Sequence, residues 1–249
     1  MKKGIILSLI FGFILTTTGC KKSNSTAEND TIKNNDIPSI IKDEADSTKI
    51  KAADFFTEGF TLFEEIKGDL NNDGLQDAVL IIKGTDKEKI LIEENSINLN
   101  RNRRGIIILF KNKKGYELLL KNYDCFSSES EEGSAYFDPE LKVNIKKGNL
   151  EIAFSHGKHG FWTYTFQHKN DDFELIKYKV TASNGNVIKS ETTIDYLSKK
   201  KIINTNTNKK NKNGEEVFEE KVENIVIKKI VKLSEIKDFD ELNILDYID

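Results

Sequence analysis

The residues with the clearest chemical meaning lie in one short stretch, residues 68–77, which follows the pattern D-x-N-x-D-G-x-x-D. Calcium is a hard cation that prefers about six to eight oxygen ligands. A tight loop, turned by Gly74, can point alternate side chains inward, because glycine adopts the necessary backbone angles cheaply. The stretch therefore predicts a calcium site in which the carbonyl of Leu75 and water complete the oxygen shell around four side chains, Asp69, Asn71, Asp73 and Asp77.

The same stretch departs from an EF-hand loop at its twelfth position, where a bidentate Glu is required and this sequence has Leu80. It resembles instead the calcium loops of FG-GAP and VCBS repeats, in which the pattern precedes an apolar strand such as residues 78–82. The resemblance covers residues 68–82 and implies metal-stabilised β structure, with the ion in a structural rather than a catalytic role. The alternative is an ordinary Asx-Gly turn without a metal.

Such repeats usually form propellers from several blades, whereas this chain has one copy, so a closed propeller is not expected. The wider pattern is similar to single-copy members found in bacterial envelope lipoproteins. In those members, the strand after the calcium loop is followed by a strand such as residues 105–110 and later by a glycine-rich hairpin with an aromatic strand. The likeness implies no established reaction.

Histidines and aromatic residues form a second candidate group near residues 155–162. His156 and His159 have a spacing that can bind zinc, but zinc needs three or four ligands and no carboxylate lies beside them in sequence. A solvated hairpin turn is the favoured interpretation, and a contact surface formed by His156, His159 and Trp162 is the alternative. The alternation of Trp162 with Tyr164 and Phe166 favours a core-facing strand.

The N-terminus has the three parts of a secretory signal: Lys2 and Lys3, an apolar run over residues 4–15, and small residues before a cysteine. Residues 17–20 resemble the lipobox of bacterial lipoproteins, which implies cleavage before Cys20 and lipid attachment to it. The next residue is Lys21. Because it is not acidic, the chain resembles lipoproteins of the outer membrane at this position. The alternatives are an uncleaved anchor and an ordinary secretory signal.

If Cys20 carries lipid, Cys125 has no partner within the chain, so no internal disulfide is expected, and Cys125 is predicted to be either buried and inert or a spare thiol. The chain has 38 basic and 41 acidic residues, which are interspersed, so it is not expected to bind nucleic acid. Its densest basic cluster, residues 101–104, is predicted to be a solvated loop before a strand. Catalytic motifs such as a nucleophile elbow or a phosphate-binding loop are not found in the sequence.

Residues 20–52 are polar and predict a flexible tether, because they cannot bury enough apolar surface to offset their ordering entropy. Residues 53–249 alternate short apolar runs with turn residues, which predicts one mainly β domain of antiparallel sheets or a meander. A central strand at residues 78–82 is expected to be buried on both faces. A mobile loop is predicted at residues 204–214, and a short C-terminal helix at residues 234–242.

Together these patterns predict a lipid-anchored protein of the bacterial envelope, in the outer membrane, with a structural calcium loop. Its expected role is that of a binding module for an unknown protein or glycan. One alternative is an immunity protein or inhibitor of an envelope-attacking enzyme. Another is a hydrolase of glycans or peptidoglycan, which would need a cleft with perturbed carboxylates or a histidine site.

Overall fold

Strands account for nearly all the regular structure in the computed structural model, which describes residues 48–49, 51–92, 98–129, 140–156, 160–185, 187–208 and 216–249. The described residues all fall within one compact unit, Glu44–Asp249. They form β1 (Thr48–Lys49), β2 (Phe60–Gly68), β3 (Asp77–Gly84), β4 (Ile90–Ile92), β5 (Asn98–Asn100), β6 (Arg104–Asn112), β7 (Gly115–Phe126), β8 (Glu140–Lys146), β9 (Asn149–Ser155), β10 (Gly160–Lys169), β11 (Asp172–Asn184), β12 (Val187–Asp195), β13 (Lys200–Asn206) and β14 (Phe218–Asn224). Antiparallel pairing throughout confirms the predicted mainly β fold class.

The seven-stranded sheet is a meander in which strands β8 to β14 pair with their neighbours in chain order. Two of its turns have the backbone that two-residue hairpins prefer. Lys147 and Gly148 join β8 to β9 with φ of 51° and 74°, and Asn170 and Asp171 join β10 to β11 with φ of 51° and 58°. Positive φ at both positions is typical of a type I′ turn, whose twist matches that of the strands.

The five-stranded sheet has the order β1-β7-β6-β3-β2, and a separate two-stranded sheet pairs β4 with β5. The inner strands of the five-stranded sheet, β3 and β6, are buried on both faces, as their continuous apolar runs predicted. One face packs with the seven-stranded sheet into a common core that includes Ile81, Ile108 and Phe166. The other face, with Leu80 and Ile107, is covered by Phe55 in the 3-10 turn Ala52–Phe55.

The end of the predicted tether is therefore part of the fold, because β1 pairs with β7 and Ala52 packs against the core cluster that contains Phe55. The segment predicted to be a mobile loop, residues 204–214, overlaps a strand. Its first three residues belong to β13 and pair with β14, and residues 209–215 lie outside the described residues. The remainder of the tether and the signal-like segment lie outside them as well.

The predicted C-terminal helix is replaced by short 3-10 turns, Leu233–Glu235 and Ile244–Tyr247. Two features favour this irregular path. Asp238 accepts a hydrogen bond from the Asp240 backbone N–H, which competes with helical bonding. The Asn122 side chain donates to the carbonyls of Leu233 and Ile236 at 3.1 and 2.6 Å. The segment thus lies in the core as a packed loop, with Phe239 only 3% exposed.

Candidate metal loop

The calcium-like loop joins β2 to β3, the edge strand and its inner neighbour in the five-stranded sheet. The pairing of Gly68 with Asp77 closes it. Two residues have left-handed backbone angles, Asn72 with φ of 61° and Gly74 with φ of 85°. Asn and Gly are the residue types that take this conformation at least cost, so the local sequence specifies a tight, coiled loop.

Oxygen atoms of the predicted ligands turn toward the inside of the loop and accept its own backbone N–H groups. Asp69 accepts from the N–H of Asp73 at 3.2 Å and of Gly74 at 2.9 Å. Asn71 Oδ1 accepts from the N–H of Asp73 at 3.0 Å. Asp73 Oδ1 accepts from the N–H of Leu75 at 2.7 Å, and its Oδ2 accepts from the Asn71 amide at 3.0 Å. The structure thus brings these three side chains together around one turn.

Asp77 differs from the other three because its side chain is completely buried, at 0% exposure. Its Oδ2 accepts the Leu70 N–H and its Oδ1 the Lys111 N–H, both at 2.8 Å. Burial raises the pKa of this carboxyl, the two backbone N–H groups lower it, and the charges of Asp73 and Asp69 raise it further. Asp77 therefore ties the loop to β6, in a position where its negative charge is costly.

The loop also contacts the second sheet through the turn between β8 and β9. A Cβ built on Gly148 would stand 2.7 Å from the amide of the Asn72 side chain, so any larger residue there would force Asn72 to shift. At the end of β2, a Cβ on Gly68 would stand 2.7 Å from Cγ2 of Ile145. The loop is thus placed where the edges of both sheets meet, a position that its own sequence does not indicate.

The donor set fits calcium in its chemistry. The four side chains and the Leu75 carbonyl supply oxygen ligands, and a carboxylate oxygen that accepts one hydrogen bond keeps a second lone pair. The negative charges of Asp69 and Asp73 disfavour the ionised form of Asp77, and a bound cation would relieve this repulsion. The fit is one of chemistry and not of distance: among the described residues no three His, Cys, Asp or Glu side chains are grouped closely enough to hold a metal ion, so Asp69, Asp73 and Asp77 would have to move closer together to bind one.

The histidine candidates do not come together. His156 follows β9 and lies at one end of the β9–β10 hairpin, whereas His168 lies near the other end of β10. About seven strand residues separate their levels, or roughly 23 Å at 3.3 Å per residue. His159 lies outside the described residues. His156 and His168 therefore cannot bind the same metal ion.

Trp162 is half-buried and stacks on Phe154, with ring centroids 5.5 Å apart and an angle of 16°. Tyr164 and Phe166 are buried in the core on the same strand, as their alternation predicted. Phe161 is 39% exposed, since its side chain points to the opposite face. Trp162 thus lies at the margin of the core, and its proposed role in a contact surface stays a prediction.

The basic cluster at residues 101–104 is not the solvated loop that the sequence predicted. Arg104 begins β6, is only 3% exposed and donates from Nε to the Ser127 carbonyl. Arg103 binds the Asp124 carbonyl and forms a 2.7 Å ion pair with Asp238. These arginines tie β6 and β7 to the following loop and to the C-terminal segment, which a linear charge count cannot reveal.

Cys125 is buried at 0% exposure, and burial raises the pKa of its thiol. A thiolate is therefore disfavoured there, which fits the predicted inert role. Cys20 lies outside the described residues. Within the described ranges, no helix combines the length and apolar content needed to cross a bilayer.

Sequence reasoning missed two partners of the loop. Lys111 contributes only its backbone N–H, which no side-chain motif can mark. Gly148 was visible as a turn residue, but its contact with Asn72 depends on how the two sheets pack. Both partners come from strands or turns distant in sequence.

The chain matches no family model, no curated protein and no solved structure. The likeness of residues 68–82 to FG-GAP and VCBS loops therefore stays a prediction. The function of the chain is inferred from the geometry of its own residues.

Proposed function

We propose that this chain is a lipid-anchored envelope protein whose β domain is a binding module and holds a calcium ion in the loop of residues 69–77. The observation that supports the calcium site best is the environment of Asp77. Burial of this carboxylate is the main reason that its pKa is raised, and the charges of Asp73 and Asp69 raise it further. A divalent cation among these oxygens would remove that repulsion.

In this proposal the loop oxygens would hold the ion, which would supply positive charge between the carboxylates. The protein itself supplies the connection to the rest of the fold. Asp77 links the loop to β6 through the Lys111 N–H, and Asn72 lies against Gly148 of the other sheet. Fixing the loop would thus stabilise the junction of the two sheets, which is a structural role and not a catalytic one.

The binding role is supported by the outer strands of the seven-stranded sheet. Phe218 and Val222 on β14 are 41% and 48% exposed, and Val217 just before β14 is 53% exposed. Among the described strands β14 is at the edge of its sheet and pairs on one side only, although its Glu and Lys residues discourage indiscriminate pairing. Phe218 and Val222 are four residues apart and so share one face of β14, and exposed apolar side chains grouped on one face among charged residues support a surface that contacts another macromolecule.

Thermal unfolding tests the calcium proposal. We expect calcium at about one hundred times its Kd to stabilise the protein by about 2.7 kcal/mol. For a domain of this size, that corresponds to a rise in Tm of roughly 5–10 °C. EGTA should reverse the rise, and equimolar magnesium should reproduce little of it, because magnesium demands a stricter octahedral shell.

Two variants sharpen this test. Asp73→Asn removes one charge from an exposed part of the loop and should abolish the calcium response. Asp171→Asn is the matched control, since it removes one exposed charge from the β10–β11 turn and should leave the response intact. Equal melting curves of the unmodified chain in EGTA and in calcium would contradict the calcium proposal.

Membrane fractionation tests the anchor separately. The unmodified chain, expressed with its N-terminal segment in a Gram-negative host, should sediment with membranes and carry an acyl mass on Cys20. Cys20→Ala should release it or leave it uncleaved, whereas Cys125→Ala should remain membrane-bound because Cys125 is buried in the fold. A soluble, unacylated wild-type product would contradict the anchor.

A further inference from the structure

A second concave site lies in the seven-stranded sheet, away from the loop of residues 69–77. A cavity of about 690 Å³ opens beside the start of β12 and the end of β13. The pairing of β11 with β12 shifts register there, between Ala182 and Ser183. Such bulges redirect side chains and are common beside binding sites, so this irregularity gives the cavity its shape.

The rim of the cavity is held in place by polar contacts. Asn206 is only 8% exposed, and its amide donates to the Ile188 carbonyl at 2.8 Å. Its Oδ1 accepts the Asn208 N–H at 3.0 Å. The Ile188 N–H in turn donates to the Glu216 side chain at 2.8 Å. The backbone of Ile188 is thus held by two side chains, Asn206 at its carbonyl and Glu216 at its N–H.

Two hydroxyl groups line the cavity side by side. Ser190 and Thr205 are direct partners across β12 and β13. Within the described part of the chain, neither hydroxyl takes part in a hydrogen bond, unlike the Asn206 amide beside them. A hydroxyl both donates and accepts, so the pair offers a ligand adjacent donor and acceptor positions. Val187 and Ile203 supply apolar surface next to them.

We propose that this cavity binds a neutral saccharide. A sugar ring presents hydroxyl groups at its edge and C–H groups on its faces, which match the hydroxyl pair and the apolar side chains. Among the described lining residues only Lys189 is charged, whereas a strongly anionic ligand would need clustered cations. An acyl chain would bury Ser190 and Thr205 without partners, which is costly. The inference rests on the proposed binding role but not on the calcium loop.

Titration of the purified full chain with neutral tetrasaccharides tests this site. We would use maltotetraose, cellotetraose and N-acetylated chitotetraose at millimolar concentration, followed by amide chemical shifts and calorimetry. At least one sugar should shift the amides of Ser190, Ile203 and Thr205. The Ser190→Ala/Thr205→Val double variant should bind that sugar at least tenfold more weakly, because two hydrogen bonds are lost.

Thr193→Val is the matched control. Thr193 lies on β12 but pairs with Lys179 and Ile202, one residue out of phase with the cavity side chains, so its variant should keep full affinity. Equal losses in the two variants, or no shifts with any of the sugars, would overturn the inference. The titration is run in calcium and in EGTA. Sugar binding without a calcium response would contradict only the calcium proposal. A calcium response without sugar binding would contradict only the saccharide proposal.

Discussion

The two candidate sites use their polar groups in opposite ways. In the loop of residues 69–77, oxygens of Asp69, Asp73 and Asp77 already accept backbone N–H groups. In the cavity beside β12, the hydroxyls of Ser190 and Thr205 have no such partners within the described ranges. Polar groups committed to the backbone stabilise a fold, whereas uncommitted ones in a concave site are available to a ligand. This difference is why we propose a structural role for the loop and a recognition role for the cavity.

Burial shows the same contrast between the parts of the chain around these sites. β3, which follows the loop, is buried on both faces, and its neighbour β6 shares this burial. β14, at the outer edge of the other sheet, is exposed over nearly its whole length. Substitutions should therefore cost most stability near the packed core and least near the outer strands. The predictions that follow compare matched positions in the two regions.

The largest difference is expected between two phenylalanines. Phe239 packs against the rings of Phe126 and Tyr164, each with centroids 5.1 Å away. Phe239→Ala should reduce the free energy of unfolding by about 3–5 kcal/mol, because it leaves a cavity in the core. Phe218→Ala, at an exposed position on β14, should cost roughly 0.5 kcal/mol. Denaturant unfolding measures both, and similar losses would contradict the assignment of Phe239 to the core.

Asp77→Asn should have the next largest effect. The amide oxygen can accept only one of the two N–H groups that the carboxylate accepts, and its NH₂ would face the other. A buried donor left without an acceptor costs about 1–3 kcal/mol, so we expect that loss in EGTA. Asp171→Asn, at an exposed turn position, should change stability by less than about 0.5 kcal/mol. Urea unfolding of both variants decides whether Asp77 is the structural anchor of the loop.

Alanine substitutions at two glycines with positive φ distinguish the cost of backbone strain from the cost of a steric contact. Gly148 and Gly185 have φ of 74° and 63°, so alanine at either position should cost about 1–2 kcal/mol of conformational strain. Only Gly148→Ala also meets the Asn72 side chain, whereas a Cβ on Gly185 meets nothing within 4 Å. Gly148→Ala should therefore be the more destabilising in a thermal melt, and it should weaken calcium binding. Equal effects would argue against contact between the loop and this turn.

The smallest predicted effect is on the pH dependence of stability. Burial raises the pKa of Asp77 in the folded state above its unfolded value. The folded protein then holds this proton more tightly, so in EGTA the Asp77 carboxyl should add stability as the pH falls through its raised pKa. Bound calcium favours the ionised form and should reverse that sign. The measurement is the free energy of unfolding of the unmodified chain between pH 7 and 4, minus that of Asp77→Asn at each pH. The same slope of this difference against pH in calcium and in EGTA would contradict the prediction.

The sequence predicted most of the strands because alternation and turn residues are local signals. The apolar run at residues 78–82 indicated a central strand, and β3 is buried on both faces. The Lys147–Gly148 turn is likewise a local feature, since glycine readily takes the positive φ that the turn needs. Register, the β11–β12 bulge and the packing of the two sheets depend on distant pairings that these local signals do not contain.

The C-terminal segment and the basic cluster show why other features were missed. Residues 234–242 have a helix-like start, but their path is set by the core and by the Asn122 side chain, both remote in sequence. Arg104 looks solvated in a charged run, yet it is buried beside the Ser127 carbonyl. The cavity beside β12 has no sequence motif, since Ser190 and Thr205 become neighbours only through strand pairing.

Direct calorimetric titration of calcium into the full chain tests the central claim, that an ion fixes the loop of residues 69–77. The account predicts one calcium bound per chain, with binding lost in Asp73→Asn and retained in Asp171→Asn. It predicts in the same samples that the backbone amides of Leu75 and Lys111 shift on calcium addition. No heat and no amide shift at millimolar calcium, or equal binding by Asp73→Asn, would contradict it.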